Sequence, residues 1–327
     1  MSTIIRKLGC WLTPVLFACS TAALAQQKPA GYPERPIRII IGVVPGGGAD
    51  FIARTTAQIL MDRWGQNVVV DSRPGGGGVI GAGLAAKAPP DGYTLYQTGF
   101  ALLVNGANKR VDFDVLKAFD PVLSLTTQPY VLLAHLSVPA SSIKEVIAFS
   151  ATKPLTYGGG GGIGATVHLG MERLASLSGM KLKYISYKGE ALAILAAMGG
   201  EINLVVSTAM SAGSAIRGGK VRGVATMGAK RIAALPDLPT LAEQGVSGFT
   251  LTNRYDLRVP ARTPHAIIAV LNRVIGDAMH APQMVQRLAA EGTEPVERMT
   301  PAEFKAKLTR EYAEVVQMVA ELNRKTP

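Results

Sequence analysis

The stretch IRIIIGVVPGGGADFIARTTAQILMDRWG, residues 37–65, decides the fold class. It opens with a nearly continuous apolar run, residues 37–44, which is typical of a parallel strand covered on both faces. Glycines then break the run, and apolar residues recur at helical spacing, with Asp50 as the expected N-cap and Gly65 as the expected stop. The stretch therefore predicts a strand, a glycine loop and a helix, in that order.

The same order of strand, glycine loop and helix recurs further along the chain. Residues 67–73 have a strand pattern and precede the loop PGGGG at 74–78. Residues 155–158 have a strand pattern and lead into a run of five glycines, residues 158–162. Strands that alternate with helices are typical of doubly wound α/β domains, so the predicted fold class is α/β.

Two β/α blocks of this kind predict two lobes that share a cleft, each a doubly wound sheet with flanking helices. We expect residues 123–132 and 221–231 to cross between the lobes, and the C-terminal helices to return to the first lobe. The predicted division is residues 26–126 with 229–327 for lobe 1, and residues 127–228 for lobe 2.

Residues 1–25 have the pattern of a cleavable export signal. Arg6 and Lys7 precede an apolar stretch, and the sequence Ala-Leu-Ala at 23–25 fits a signal-peptidase site. We therefore predict a periplasmic protein that is released from its signal peptide. Lipoprotein anchoring at Cys19 is the alternative.

Composition and motifs argue against several classes of function. Both cysteines, Cys10 and Cys19, lie in the expected signal, so disulfides and thiolate catalysis are not expected in the mature chain. The formal net charge of +11 is spread along the chain without Lys/Arg runs, which argues against nucleic-acid binding and mildly favours small anions. The four histidines are isolated in the sequence, so no metal site is predicted.

Nucleotide and hydrolase motifs are incomplete. Residues 76–81 and 159–164 match G-x-G-x-x-G, but the strand after the second match has no acidic residue, and no glycine loop continues into Gly-Lys-Ser/Thr. Ser141 and Lys144 match S-x-x-K without the partner motifs of β-lactamases. We therefore expect no cofactor, no catalytic residues and a protein that is not an enzyme.

Three loops share a pattern that suits anions. Residues 43–52, 73–80 and 157–167 each join the end of a strand, through glycines, to the start of a helix. Glycine lets backbone N–H groups approach a ligand, and a helix N-terminus adds unpaired donors and a positive dipole end. The loops predict reversible binding of a carboxylate; the alternative is that each is only a tight β–α turn. His168, just after the third loop, is either a structural histidine or a ligand contact.

Several longer phrases carry a resemblance to a known family. The chain contains, in this order, YPERPIRIIIGVVPGGGADFIAR, GQNVVVDSRPGGGGVIGAGLAAKAPPDGYTL, SYKG, ALPDLPTLAEQG and TPAEF. These phrases closely resemble the Bug-type extracytoplasmic receptors, the solute-binding proteins of tripartite tricarboxylate transporters. The resemblance implies a two-lobed periplasmic-binding-protein fold of the second type, a small organic carboxylate as ligand, no cofactor, and membrane permease subunits as partners. We further expect a monomer.

The resemblance also implies a set of ligand-binding residues. They are Pro45, Gly46, Gly47, Gly48 and Asp50 in the first loop; Gln97 and Thr98 at the end of a strand; Gly160, Gly162, Gly164, Ala165, Thr166 and His168 in and after the glycine run; and Tyr187, Lys188, Ser207 and Thr208 along the wall. Glycines stand in the run where relatives usually have hydroxyl side chains, so this loop is expected to bind mostly through backbone groups and water.

Arg254 and Arg258 stand where the family more often has an aromatic residue, a glycine and an apolar run. They are interpreted either as contacts for a second carboxylate or as surface charges. Two functions other than transport stay open at this point. One is a secreted enzyme that acts on a small carboxylate, and the other is a sensor that presents its bound form to a signalling partner.

Overall fold

The computed structural model describes residues 31–325, with side chains described as far as residue 320. The expected signal at residues 1–25, with Cys10 and Cys19, lies outside the described residues. Strands and helices alternate through most of the described chain. No helix in it is both long enough and apolar enough to cross a membrane.

The elements have the following bounds. The strands are β1 (Ile37–Ile41), β2 (Val68–Ser72), β3 (Thr94–Gly99), β4 (Phe119–His135), β5 (Leu155–Gly159), β6 (Leu182–Ser186), β7 (Leu204–Thr208), β8 (Val221–Thr226), β9 (Thr252–Pro260) and β10 (Glu294–Pro295). The helices are α1 (Gly48–Trp64), α2 (Val79–Ala86), α3 (Phe100–Ala107), α4 (Ile143–Thr152), α5 (Thr166–Ser178), α6 (Glu190–Met198), α7 (Ala209–Arg217), α8 (His265–Met279), α9 (Pro282–Ala290) and α10 (Pro301–Lys325).

The first sheet contains strands from both ends of the described chain. Its order is β2-β1-β3-β9-β4, with the two-residue β10 beside β4. β1 lies between the parallel strands β2 and β3, whereas β9 runs antiparallel to both β3 and β4. The carboxyl ends of β1, β2 and β3 therefore lie at one edge, where the loops that follow them can meet.

The second sheet is built from the middle of the chain, in the order β8-β4-β7-β5-β6. β5 runs parallel to β6 and β7, while β4 runs antiparallel to β7 and β8. The 17-residue β4 belongs to both sheets, because residues 119–129 pair with β9 and residues 130–135 pair with β7 and β8. One continuous strand thus passes between the sheets at the segment where a crossing strand is predicted.

Helices cover both faces of both sheets. In the first sheet, α1 and α8 fill one face with side chains such as Ile52, Leu60 and Leu271, and α3 and α10 fill the other with Leu103 and Phe304. In the second sheet, α4 and α5 cover one face, and α6 and α7 cover the other. The predicted α/β class, with helices on both faces of the sheets, is confirmed.

The segment between β8 and β9 packs on the second sheet. Leu241 and Phe249 lie in the core on the α4–α5 face, and Ile232 lies in the core on the α6–α7 face. The sequence-based end of lobe 2 at residue 228 stays a prediction. This packing favours an end near residue 251, because a lobe includes the segments that complete its core.

The second crossing between the sheets lies later than the sequence reasoning placed it. β8 pairs with β4 inside the second sheet, so residues 221–226 do not leave it. The chain enters the first sheet where β9 begins, at Thr252, and pairs there with β4 and β3. The prediction of a crossing at 221–231 is therefore wrong, and the chain crosses at the start of β9.

Helix ends follow the local signals in the sequence. Gly65 ends α1 with a φ of 67°, the left-handed conformation in which glycine has no Cβ penalty. Thr300 and Glu303 form a capping box at the start of α10. Thr300 N–H donates to Glu303 Oε2 at 2.8 Å, and Glu303 N–H donates to Thr300 Oγ1 at 3.2 Å. The predicted end of α1 at Gly65 is confirmed.

Candidate functional site

The first glycine loop joins β1 to α1 and follows the exposed Pro45. Gly47 occupies the N-cap of α1, and Asp50 is the third residue of the helix. Asp50 Oδ2 accepts hydrogen bonds from Gly46 N–H at 3.1 Å and from Arg54 Nε at 2.9 Å. The prediction of Asp50 as the N-cap is therefore wrong. Glycine at the cap has no side chain to close the loop, and Asp50 reaches back to do so.

Open space lies beside this loop at the start of α1. A Cβ atom at Gly46 or Gly47 would meet no heavy atom within 4 Å. Gly46 has a φ of +94°, so its conformation favours glycine as well. A Cβ atom at Gly48, in contrast, would lie 2.7 Å from Tyr255 Oη and 3.0 Å from Gln128 Nε2. The start of α1 is thus open beside Gly46 and Gly47 and closely packed beside Gly48.

Gln97 and Thr98 end β3 on opposite faces of the first sheet. Gln97 is buried, and its Nε2 donates to the carbonyl oxygen of Ala49 at 2.7 Å, so it lies against the first turn of α1. Thr98 shares a face with Tyr96 and forms a hydrogen bond with that side chain. Successive strand residues point to opposite faces, so only Gln97 joins the first loop, although the sequence reasoning put both residues in the cleft.

The run of five glycines packs closely against its neighbours at its start, and its backbone adopts left-handed conformations at its end. A Cβ atom at Gly158 would lie 2.8 Å from Ile202 Cδ1, which leaves no room for a side chain there. Gly161, Gly162 and Gly164 have φ values of +104°, +81° and +76°. These left-handed conformations favour glycine, so the end of the run needs glycine for its backbone path.

His168 holds the end of the glycine run against α5. Ala165 is the N-cap of this helix and Thr166 is its first residue. His168 Nδ1 accepts a hydrogen bond from Gly164 N–H at 3.1 Å, and Nε2 lies 3.9 Å from Glu172 Oε1. The accepting Nδ1 requires a neutral ring with its proton on Nε2, and burial lowers the pKa of His168 accordingly. A direct ligand contact of His168 stays a prediction.

The loop at residues 73–80 packs against both other glycine loops. A Cβ atom at Gly42 would lie 2.7 Å from Gly78 Cα, and one at Gly77 would lie 3.3 Å from the carbonyl oxygen of Gly161. The second contact joins a loop of the first sheet to the glycine run of the second sheet. The structure therefore brings all three glycine loops together.

The predicted wall residues differ in their surroundings. Tyr187 packs against the second sheet, Ser207 is fully buried, and Lys188 is exposed. Thr208 donates twice to Glu190 Oε1, from its N–H at 2.7 Å and from Oγ1 at 3.0 Å. The wall of the second lobe therefore includes a carboxylate.

Sequence reasoning missed three side chains that lie near these loops: Gln128, Glu190 and Tyr255. Gln128 Nε2 donates to Tyr255 Oη at 2.9 Å, next to Gly48. Glu190 opens α6, where an acidic residue is an ordinary helix-start signal, so its contact with Thr208 has no signature in the sequence. A polar residue within a mostly buried strand, as at Gln128, is a signal that could have indicated that position.

Arg254 and Arg258 belong to a buried ion network. Arg254 Nε donates to Asp256 Oδ1 at 2.8 Å, and its two terminal nitrogens donate to Glu311 at 2.6 Å and 2.8 Å. Arg258 is 1% exposed and lies 3.4 Å from Asp256, whose carboxylate also accepts from Ser124 Oγ. Both sequence-based interpretations are wrong, because these arginines belong to a network in which Arg254 joins β9 to α10 and Asp256 joins β9 to β4.

The chain matches a known receptor family over most of its length. Residues 52–321 match the family model described as tripartite tricarboxylate transporter family receptor. Protein BugT of Bordetella pertussis is similar, with 33% identity over 282 residues that cover 85% of this chain and 86% of that protein.

Solved structures extend the similarity to the whole fold. The structure described as R. palustris Rpa4515 with adipate superposes with a TM-score of 0.82 and 27% identity, over 88% of this chain and 98% of that one. The periplasmic binding protein BugD superposes with a TM-score of 0.80 and 27% identity, over 89% of this chain and 98% of that one. The two-lobed fold expected from the sequence is confirmed.

Removal of the shared carboxylate of the ion network should destabilise the fold. The Asp256→Ala variant leaves Arg254 and Arg258 buried without that partner, and we expect its free energy of unfolding to fall by about 3–5 kcal/mol. Asp277→Ala removes an exposed pair with Arg298 and should cost about 1 kcal/mol or less. Urea unfolding of both variants measures the difference. Equal losses would contradict a buried network.

His168 should make the protein less stable in acid. Because the folded protein holds the pKa of His168 below its ordinary value of 6.5, the unfolded chain binds the proton first as pH falls. The contribution of neutral His168 to the free energy of unfolding is fully present above pH 6.5, and it is lost as the pH falls through the lowered pKa of the folded protein. In His168→Asn, whose Oδ1 can still accept from Gly164 N–H, the free energy of unfolding should fall less between about pH 7.5 and about pH 5.5. An identical fall in both proteins would contradict the assignment.

Proposed function

We propose, since this chain belongs to the tripartite tricarboxylate transporter receptor family, that it is a periplasmic solute-binding receptor for a small organic carboxylate. The ligand enters the cleft between the lobes, binds at the glycine loops and passes to the membrane permease subunits of a tripartite transporter. The adipate in the R. palustris relative supports a carboxylate as the ligand class. The receptor acts as a monomer and needs no cofactor.

The open end of α1 is the observation that carries this proposal. The N–H groups in the first turn of a helix have no intrahelical acceptor, and the helix dipole makes that end positive. At α1 this end opens into free space beside Gly46 and Gly47, while Gly48 packs against Tyr255 and Gln128. The space beside the loop suits a carboxylate that is held by backbone N–H groups.

The glycine run forms the second side of the proposed site. It stands against the loop at 73–80 through Gly161 and Gly77, so it can close over an anion that is bound at α1. Closure moves the lobes about β4, which belongs to both sheets, and about the start of β9, where the chain returns to the first sheet. We place lobe 1 at residues 31–126 with 252–325, and lobe 2 at residues 127–251, because residues 229–251 pack on the second sheet.

Export through the signal at residues 1–25 brings the protein to the periplasm, where its family functions. Cleavage of that signal is our proposal over lipid attachment at Cys19. A binding role is favoured over an enzymatic one by the contacts of the polar groups near the loops. His168 is engaged by Gly164 and Glu172, and the hydroxyl of Ser207 donates to Thr208 O. A sensor would bind the same ligand, and pull-down of permease subunits by the loaded receptor would argue against that role.

A thermal-shift screen of the ligand-stripped mature protein tests the proposal. Mono-, di- and tricarboxylates are added singly, and a ligand that binds only the folded state stabilises it by about 2.7 kcal/mol at a hundredfold excess over Kd. We expect at least one carboxylate to raise the melting temperature and to be recovered unchanged. If none raises it and one is consumed, the protein is an enzyme and the proposal fails.

A matched pair of glycine variants tests where the ligand binds. A Cβ atom at Gly47 or at Gly83, on α2, would meet no heavy atom within 4 Å, and neither residue has a positive φ. Both Gly47→Val and Gly83→Val should therefore fold. Gly47→Val should abolish carboxylate binding because its side chain fills the open end of α1, whereas Gly83→Val should bind normally. Full affinity in Gly47→Val would contradict the placement of the ligand.

A further inference from the structure

Glu190 places a carboxylate beside the proposed binding site. It is the first residue of α6, and the glycine run lies against it, because a Cβ atom on Gly160 would be 3.6 Å from Glu190 Cβ. Glu190 Oε1 accepts hydrogen bonds from Thr208 N–H at 2.7 Å and from Thr208 Oγ1 at 3.0 Å. An acidic group thus stands in the wall of the second lobe, next to the loop that is proposed to close over an anion.

No basic side chain neutralises Glu190 within the part of the chain that the structure describes. The groups that hydrogen-bond to it belong to Thr208 and Ser211, which are uncharged. Burial raises the pKa of Glu190, and these hydrogen bonds oppose the rise by stabilising its charged form. A partly buried carboxylate without a cation is unfavourable, so a ligand that supplies a positive charge would be bound more tightly there.

The first lobe adds acceptor oxygens that lack donors. Gln97 is 3% exposed and Gln128 is 1% exposed, and neither Gln97 Oε1 nor Gln128 Oε1 receives a hydrogen bond from the described residues. The same holds for Asp50 Oδ1. The amide of Gln97 cannot be reversed, because its Nε2 must donate to the carbonyl oxygen of Ala49. The side chains around the first turn of α1 therefore include buried acceptor oxygens that receive no hydrogen bond.

Two tyrosines connect Glu190 to this first-lobe cluster. Burial, and then the negative charge of Glu190, raise the pKa of both Tyr130 and Tyr255. Tyr255 Oη accepts from Gln128 Nε2 and lies 2.7 Å from the Cβ position of Gly48. Glu190 is therefore within electrostatic reach of the first turn of α1, across from it on the other lobe. A Cβ atom at Gly189, next to Glu190, would lie 4.0 Å from Val44 Cγ2 in the first glycine loop, so Glu190 and the start of α1 are close together.

We propose that the ligand carries a protonated amine as well as a carboxylate, and that Glu190 is the residue that selects for the amine. This inference rests on the proposed function, in which the ligand carboxylate binds at the open end of α1. The amine brings a positive charge and hydrogen-bond donors to Glu190. Charge-assisted hydrogen bonds of this kind are about twice as strong as neutral ones.

The same geometry disfavours two related classes of ligand. A dicarboxylate would bring its second carboxylate towards Glu190, and like charges at short range repel in a site that excludes water. A hydroxy acid offers a single donor and no positive charge, so it leaves Glu190 unneutralised. The amine is thus the substituent that neutralises the charge of Glu190 and also supplies hydrogen-bond donors.

Calorimetric titration of the ligand-stripped protein with matched compounds tests the inference. For chains of four and of six carbons, the compounds are the plain acid, the hydroxy acid, the dicarboxylic acid, and the amino acids with the amine at carbon 2 or at the far end. We expect an amino acid to bind at least about tenfold more tightly than the other three classes of equal length. In Glu190→Gln this preference should disappear, and the dicarboxylic acid should bind at least as tightly as in the unmodified protein.

Two controls keep the test specific. Glu190→Gln retains an oxygen that accepts from Thr208, so its melting temperature without ligand should not fall. Glu201→Gln changes an exposed glutamate of the same lobe and should leave every affinity unchanged. A plain acid or a dicarboxylic acid as the tightest ligand would overturn the inference and leave the proposed function standing. An amine preference that survives in Glu190→Gln would overturn the role of Glu190, and a failure of all carboxylates to bind would overturn both proposals.

Discussion

The close approach of three glycine loops is the constraint on which the site depends. Gly42 lies against Gly78, and Gly77 lies against Gly161, at separations that leave little room for a Cβ atom. These contacts bring the carboxyl ends of strands from both sheets to one place. The loop before α1 and the glycine run of the second lobe consequently both lie against the loop at 73–80. The backbone entropy that glycine loses on folding is the cost of this arrangement.

The positions of these loops depend on the strands and helices that carry them. β4 passes through both sheets, so the two halves of the cleft share one continuous strand. On the far side of the first sheet, Arg254, Asp256 and Glu311 tie β9 to α10 through buried charge pairs. In the closure that we propose, the two lobes keep their shape and the motion is concentrated where the chain passes between the sheets.

Features fixed by neighbouring residues were predictable from the sequence, and features fixed by distant contacts were not. The strand expected at 37–44 forms over Ile37–Ile41, although Val43 and Val44 are exposed in the loop that follows, and Gly65 ends α1 as expected; both are local patterns. Arg254 looked like a pocket or surface charge because its partner Glu311 lies 57 residues away. Glu190 resembled an ordinary helix start for the same reason, since Thr208 meets it only through the packing of α6 beside β7.

The proposed function depends on a carboxylate that binds at the start of α1, and a crystal structure of the complex with a ligand from the screen would show whether it binds there. We predict that a carboxylate oxygen lies about 3 Å from backbone nitrogens of residues 47–49, with the glycine run closed over it. A ligand that leaves these nitrogens free would contradict the account. A ligand bound instead in the cavity of about 190 Å³ lined by Thr127, Gly228 and Thr293 would also contradict the proposed position.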